Sequence, residues 1–207
     1  MDTYPDSEAK VWLAIESAKV AKIVSVQEEG IGEDLTFNLL VWRDDQLSAI
    51  CQLDTTLMDE PAAVRLSRTT EAAILCRTGF EASSMTLVAE GYCALDPADI
   101  DMTIPLSDQF LTNTKVRECL TITHLGPEGV EMVALPYTYD VPRRVRWETP
   151  VAYPSKETNN PFLLRLLDIL SVPVPPAPVD DETWREITAH SLHEQGFHVE
   201  HSLDLLD

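Results

Sequence analysis

The stretch VRECLTITHLGPEGVEMVALPY, residues 116–137, constrains the fold most. Two runs rich in Val, Ile, Leu and Thr meet at Gly126, Pro127, Glu128 and Gly129, residues that favour a tight reverse turn. The segment therefore predicts an antiparallel hairpin over 116–125 and 130–137. Upstream, MTLVAEGYCAL (85–95) is apolar at both parities, so the strand it predicts needs cover on both faces. Glu90 interrupts that run. A carboxylate there needs a donor partner or an accessible strand end, because leaving it buried and unpaired is costly. Glu90 is accordingly the first candidate for chemistry. Arg117 and Glu118, which enter the hairpin beside a long polar connection, are the next two, and His124 near the turn reads as solvated.

Elements on either side supply the cover. SEAKVWLAIESAKVAKIVSV, from Ser7, reads as an amphipathic helix with Val11, Ile15 and Ala18 on one stripe and Trp12 near it. Residues 35–42 and 47–53 read as paired strands around the polar turn Arg43 to Gln46, with Phe37, Leu39 and Val41 facing one way and Leu40 and Trp42 the other. DEPAAVRLSRTTEAAILCRTGF predicts a second helix capped by Asp59, its stripe running through Ala63, Leu66, Thr70, Ile74 and Arg77 and widened by Ala62, Ala73 and Cys76. Residues 96–114 have the composition of a long loop, long enough to serve as a lid. Its Asp96, Asp99 and Asp101 lack the glycine and glutamate positions of a calcium loop. RRVRW brings Arg143, Arg144 and Arg146 together, to pair with neighbouring acids, protect a sheet edge or meet an anion.

Toward the C-terminus, PFLLRLLDIL predicts an apolar helix. Its Leu163, Leu166, Leu167 and Leu170 either cover the sheet or meet another subunit. SVPVPPAPV then reads as a rigid linker. DDETWREITAHSLHEQG predicts a last helix, with acids at its start and a glycine stop. The expected organisation is an α+β body over 1–171, a proline-rich linker over 172–180 and an acidic helical tail over 181–207. The body holds a single mixed or antiparallel sheet of roughly five strands covered by helices. Leu163, Leu166, Leu170 and Trp184 are the candidate interaction residues.

Charge narrows the partners. With 35 acidic against 15 basic residues the formal charge is -20. Such a chain repels nucleic-acid backbone and anionic membrane, so no direct nucleic-acid or membrane contact is expected, and a basic protein partner fits better. Self-association through the leucines of PFLLRLLDIL stays open. Lacking a basic and apolar leader or a membrane-length apolar run, the chain is expected in the cytoplasm. Cys51, Cys76, Cys93 and Cys119 show no close metal or redox spacing, which favours buried thiols while leaving disulfides open.

Catalytic signatures are missing: no GxSxG elbow, Walker A segment or dinucleotide fingerprint occurs, and no cofactor is expected. HSLHEQGFHVEH gathers His190, His193, His198 and His201, donor types that bind zinc, nickel or copper, but in neither an HExxH nor a knuckle arrangement. The order of elements, with LMDEPAAVRL, MTLVAEGYCALDP and the 116–137 hairpin, resembles an uncharacterised family of small α+β proteins from phage and bacterial genomes over about residues 8–137. That resemblance implies an architecture and carries no catalytic residue. The functional expectation is an acidic interaction or regulatory protein, of phage or mobile-element type. The alternatives are a small hydrolase-like enzyme using Glu90, Arg117 and Glu118 in a cleft, and a structural or assembly protein.

Overall fold

The computed structural model describes residues 6–28, 37–57, 60–95, 101, 103–110, 112–140, 144–153 and 160–201, with only the backbone of Asp6, Thr55 and His201. The Asp59 cap, Arg143, Asp96 and Asp99 lie outside the described residues. The elements in chain order are α1 (Asp6–Glu28), β1 (Asn38–Arg43), β2 (Gln46–Leu53), α2 (Ala62–Gly79), β3 (Ser84–Ala94) and the short α3 (Leu106–Phe110). There follow β4 (Val116–Gly126), β5 (Gly129–Asp140), β6 (Arg144–Trp147), β7 (Val151–Tyr153), α4 (Pro161–Ser171), α5 (Asp181–Glu194) and β8 (Phe197–His201).

All the strands among the described residues join one sheet in the order β6-β5-β4-β3-β1-β2-β8, with β7 pairing β5 beside that path. Every pairing is antiparallel. The fold is therefore α+β, as the alternating and apolar runs predict, but among the described residues the sheet has eight strands rather than about five. RRVRW contributes β6, whose Arg144 and Arg146 are exposed on the outer strand, where charge discourages further pairing. Both predicted turns are tight: Gly126 pairs Gly129 across Pro127-Glu128, and Arg43 pairs Gln46 across Asp44-Asp45. Asp44 takes φ 52 inside its two-residue turn, and Gly129 takes φ 113 as the first residue after the other turn, positive values that Asp and Gly tolerate.

Two hydrophobic clusters sandwich the sheet. On one face Leu40, Trp42, Val88, Leu120, Ile122, Val133 and Leu135 receive Val11, Ala14 and Ala18 of α1. On the other, Leu39, Val41, Cys51, Met85, Leu87 and Leu125 receive Ala72, Ala73 and Cys76 of α2, Leu166 and Leu170 of α4 and Leu192 of α5. The alternation read in β1 and the two-sided apolarity read in β3 thus correspond to the two helical layers.

Three expectations need correction. In α2 the buried stripe is Thr69, Ala72, Ala73, Cys76 and Gly79, while Leu66 and Ile74 are 44% and 43% exposed. Small residues face inward because α5 comes close: a Cβ at Gly79 would lie 1.9 Å from Thr188 Oγ1. The segment beyond the proline-rich stretch, expected as a helical tail, also supplies a strand, since β8 pairs with β2 and Phe197 is fully buried in the core. The Pro-rich stretch itself is held where Arg77 Nε and Nη2 donate to the Val172 carbonyl at 3.0 and 2.8 Å. Leu166 and Leu170 cannot serve as a docking surface, because they are buried against this chain's own sheet and α2.

Helix ends follow local chemistry. The Asn160 side chain accepts from the amides of Phe162 and Leu163, with Pro161 in the first turn. Asp180 accepts from the Thr183 amide at 2.9 Å and from its hydroxyl at 2.9 Å, which holds the Asp180 carboxyl below its ordinary pKa. No helix among the described residues is long and apolar enough to cross a membrane.

Candidate functional site

Helix α1 differs from the other helices in how it is attached. Its buried positions Lys10, Val11, Ala14, Ala18, Lys22 and Val26 form a stripe with i,i+3 and i,i+4 steps, so two lysines lie under the helix among small apolar residues. Lys22 is 1% exposed, and its ammonium sits 2.6 Å from Glu90 Oε1. The Tyr137 hydroxyl donates to the same carboxylate oxygen. The Tyr137 and Tyr139 rings lie 5.3 and 5.9 Å from Lys22 Nζ, close enough for cation–π attraction. Burial opposes the charge on Lys22, but Glu90 and Tyr139 outweigh it and hold its pKa above the ordinary lysine value. Burial first, then the Glu90 carboxylate, push the Tyr137 phenol far up, so it stays a donor.

This cluster supplies the donor that Glu90 requires. It is a closed structural arrangement, with the carboxylate 8% exposed and engaged by a cation and a hydroxyl. Arg117 points to the opposite side of β4 from Glu118, as neighbouring strand residues do. It pairs with Glu148 at 3.4 Å and donates to the carbonyls of Thr114 and Val116. Glu118 stands opposite Tyr92 in the register, on the Glu90 side of the sheet. The structure thus brings Glu90 and Glu118 to one face, and leaves Arg117 on the other.

At the other end of α1, Lys10 is 6% exposed, with Nζ 3.4 Å from Ser84 Oγ, 3.9 Å from Asp45 and 5.8 Å from the centre of the Trp42 ring. Trp42 Nε1 donates to Thr86 Oγ1 at 2.9 Å, and Thr86 Oγ1 lies 2.9 Å from His124 Nδ1. His124 is therefore 4% exposed within a buried polar chain, contrary to the solvated position its closeness to the turn suggests. Of these groups Lys10, Ser84 and His124 floor a cleft of about 340 Å³ between the first turn of α1, the β1–β2 turn and the β4–β5 turn. Its rim carries Asp44, Asp45, Glu128 and Glu131. Glu90, Arg117 and Glu118 do not line it.

The outer side of α1 is apolar too. Trp12, Leu13, Val20, Ile23 and Val24 are 63%, 40%, 62%, 38% and 43% exposed. At 100° per residue they fall within about one third of the helix circumference. Trp12 was expected beside the buried stripe and instead stands in solvent. Because both lysines noted above are buried and Lys19 is paired to Glu16 at 2.7 Å, the unpaired charge on the described outer side of α1 comes from the exposed Glu8 and Glu28.

The remaining predicted residues lie elsewhere. His190 and His193 are exposed on α5 and His198 is exposed on β8; His190 is 3.5 Å from Glu194, and the His201 side chain lies outside the described residues. Among the described residues no group of three or more His, Cys, Asp or Glu side chains is gathered as metal ligands would be. Leu163 is partly buried against the core, and Trp184 is half-buried, with Nε1 donating to the Thr78 carbonyl at 3.1 Å. The four cysteines are free and buried; Cys51 and Cys76 place their sulfurs 3.7 Å apart. Within the 96–114 connection, Gln109 is buried and donates to the carbonyls of Asp101 and Ile104, at 2.8 Å each, tying that turn to α3.

Sequence reasoning missed Lys10, Lys22 and the burial of His124. One signal was present: Lys22 continues the Ala14, Ala18 stripe at the next i+4 position. Nothing local marks His124, whose environment is made by Trp42 and Thr86 from distant strands. No protein-family model, curated protein or solved structure matches this chain.

Proposed function

We propose that this chain is an acidic interaction protein that binds a basic partner segment along the outer face of α1. The observation that carries the reading is the stripe Trp12, Leu13, Val20, Ile23 and Val24, exposed on a helix whose opposite face is already committed to the core. Contiguous exposed apolar surface rimmed by charge is a feature of interaction sites. On α2 the exposed apolar residues are Val64, Leu66 and Ile74, with Thr70 between the last two as Glu16 stands between Trp12 and Val20, but α1 adds Leu13, Ile23 and Val24. Charge selects the kind of partner: two copies at -20 each repel, whereas a basic segment is attracted and meets Glu8 and Glu28 toward the two ends of the helix. A cytoplasmic setting fits this reading, and binding to nucleic acid or anionic membrane is disfavoured by the same charge.

The test is titration with a 16-residue amphipathic peptide of leucine and lysine, read by calorimetry. Replacing Trp12 and Val20 together by serine is expected to weaken binding at least tenfold and to leave thermal unfolding nearly unchanged. The matched Leu66→Ser, Ile74→Ser pair on α2 is the control. Equal losses from both pairs, or none from the α1 pair, would overturn the assignment. A solution mass twice that of one chain, abolished by the α1 pair, would identify a second copy as the occupant instead.

A further inference from the structure

We infer that the cleft beside the start of α1 receives the guanidinium group of an arginine carried by the partner segment. This rests on the docking role of α1 and specifies what the partner brings to the helix's N-terminal end. The cleft is a built concavity: Lys10, Ser84 and His124, each at most 6% exposed, form its floor and are fixed by contacts among themselves and with Asp45 and Thr86. Its volume of about 340 Å³ falls within the range of small-ligand pockets and accommodates one long side chain with part of its backbone.

The sign of the ligand follows from the lining. One lysine faces four carboxylates, so the cleft attracts a cation, and the buried Lys10 ammonium keeps that cation toward the rim. The carboxylates stand on two separate reverse turns. Asp44 and Asp45 are contributed by the β1–β2 turn, and Glu128 and Glu131 by the β4–β5 hairpin. A planar guanidinium, with five donors in a fixed fork, can address acceptors on two sides, whereas an ammonium is a compact point charge. The position fits the partner as well. A segment covering Trp12 to Val24 follows roughly 18 Å of helix, and its next residues arrive at Ser7 and Lys10, both of which line the cleft.

The experiment uses the full chain and the flexible peptide acetyl-(Arg-Gly)4-amide, which has no apolar face to engage α1. Calorimetry gives the affinity, and backbone amide NMR shifts give the location. The expected result is that the largest shifts fall on Asp44, Asp45, Gly126 and Glu128 to Glu131. Asp45→Asn with Glu131→Gln should then weaken binding at least tenfold, and the charge-matched Glu182→Gln, Glu186→Gln pair on exposed α5 less than twofold. The lysine peptide acetyl-(Lys-Gly)4-amide should bind at least threefold more weakly than the arginine peptide. Equal losses in the two variant pairs would reduce the effect to diffuse charge and overturn the site. Tighter binding of inorganic phosphate than of the arginine peptide would overturn the sign, and equal affinity for both peptides would overturn the guanidinium assignment. A variant that loses its amide dispersion is replaced by Asp44→Asn with Glu128→Gln, to which the same criteria apply. Because this peptide does not engage the apolar stripe, Trp12→Ser with Val20→Ser leaves its binding intact in either case, so failure of the leucine–lysine peptide alone overturns the α1 reading and failure of the arginine peptide alone overturns the cleft.

Discussion

The two faces of the sheet are covered by different means. The face under α2, α4 and α5 is closed by large apolar side chains, with Leu166, Leu192 and Phe197 at 0% exposure and cysteine and alanine filling the close approaches. The face under α1 is closed by a helix that contributes mainly Val11, Ala14, Ala18 and Val26, with a buried lysine toward each end. Since α1 carries apolar residues on both sides, hydrophobic burial alone discriminates weakly between its two faces. The Lys22–Glu90–Tyr137 cluster and the Lys10–Ser84 contact remove that ambiguity: only one rotation of the helix gives both cations partners. Buried polar groups are used for orientation in other systems, and here they leave Trp12 and Val20 outside.

The comparison breaks most readily at Glu90. Glu90→Ala strands the Lys22 ammonium in a dry interface, and urea unfolding should show a loss of about 3–5 kcal/mol. Replacing both partners by apolar residues, Lys22→Met with Glu90→Leu, should recover most of that loss. If the cluster sets the helix's rotation, this double variant alone will change the protection of Trp12 from fluorescence quenchers; unaltered quenching would mean that packing suffices. On the opposite face Leu166→Ala should cost about 2–5 kcal/mol through cavity formation, with no change in quenching of Trp12. Gly79→Ala drives a methyl to 1.9 Å from Thr188 Oγ1 and 2.5 Å from Thr188 Cβ and should cost about 1–3 kcal/mol, partly relieved by Thr188→Gly, which removes every clashing atom, and not by Thr188→Ser, which keeps both of these, if the clash is the cause.

A pH titration sharpens the contrast with a smaller effect. Lys22 and Tyr137 both have folded pKa values raised above their unfolded ones. A proton held more tightly in the folded state contributes stability that is complete below the unfolded value and is lost as pH rises toward the folded one. Stability should therefore hold up to about pH 10 and fall beyond it, as both groups are stripped on unfolding. The Lys22→Met, Glu90→Leu, Tyr137→Phe variant should show a shallower alkaline slope, and an unchanged slope would remove this face as its origin. At the acid end Asp180, lowered by its bonds to Thr183, gives the reverse sign: its contribution is present above about pH 4 and fades below it. Asn160→Ala at the start of α4 should have the least effect on stability, about 1 kcal/mol.

Local chemistry was legible wherever short-range rules decide. Gly126 to Gly129 specifies a hairpin turn because those residues tolerate its backbone, and the alternation of Leu39 and Val41 with Leu40 and Trp42 announces a strand covered on both sides. The need of Glu90 for a donor was legible as well, since desolvating a carboxylate has a cost whatever the fold. Its donor was not, because Lys22 lies far back in the chain and its neighbours in sequence are as apolar as those of a solvated lysine on an interface helix. The α2 stripe misled for a related reason. Leu66 and Ile74 look like core positions, yet α5 approaches so closely at Gly79 that only small side chains fit beneath.

The sequence by itself determined the hairpins, most of the helices, the net negative charge and the demand that Glu90 be paired, consequences of composition, backbone preference, periodicity and solvation that need no distant partner. Only the tertiary structure decided that the C-terminal segment supplies an edge strand, that His124 is buried, and that α1 turns Trp12 outward while its lysines face the sheet. Those outcomes depend on partners brought from β1, β2, β3, β4 and β5, and no local pattern specifies which distant group will meet a given side chain.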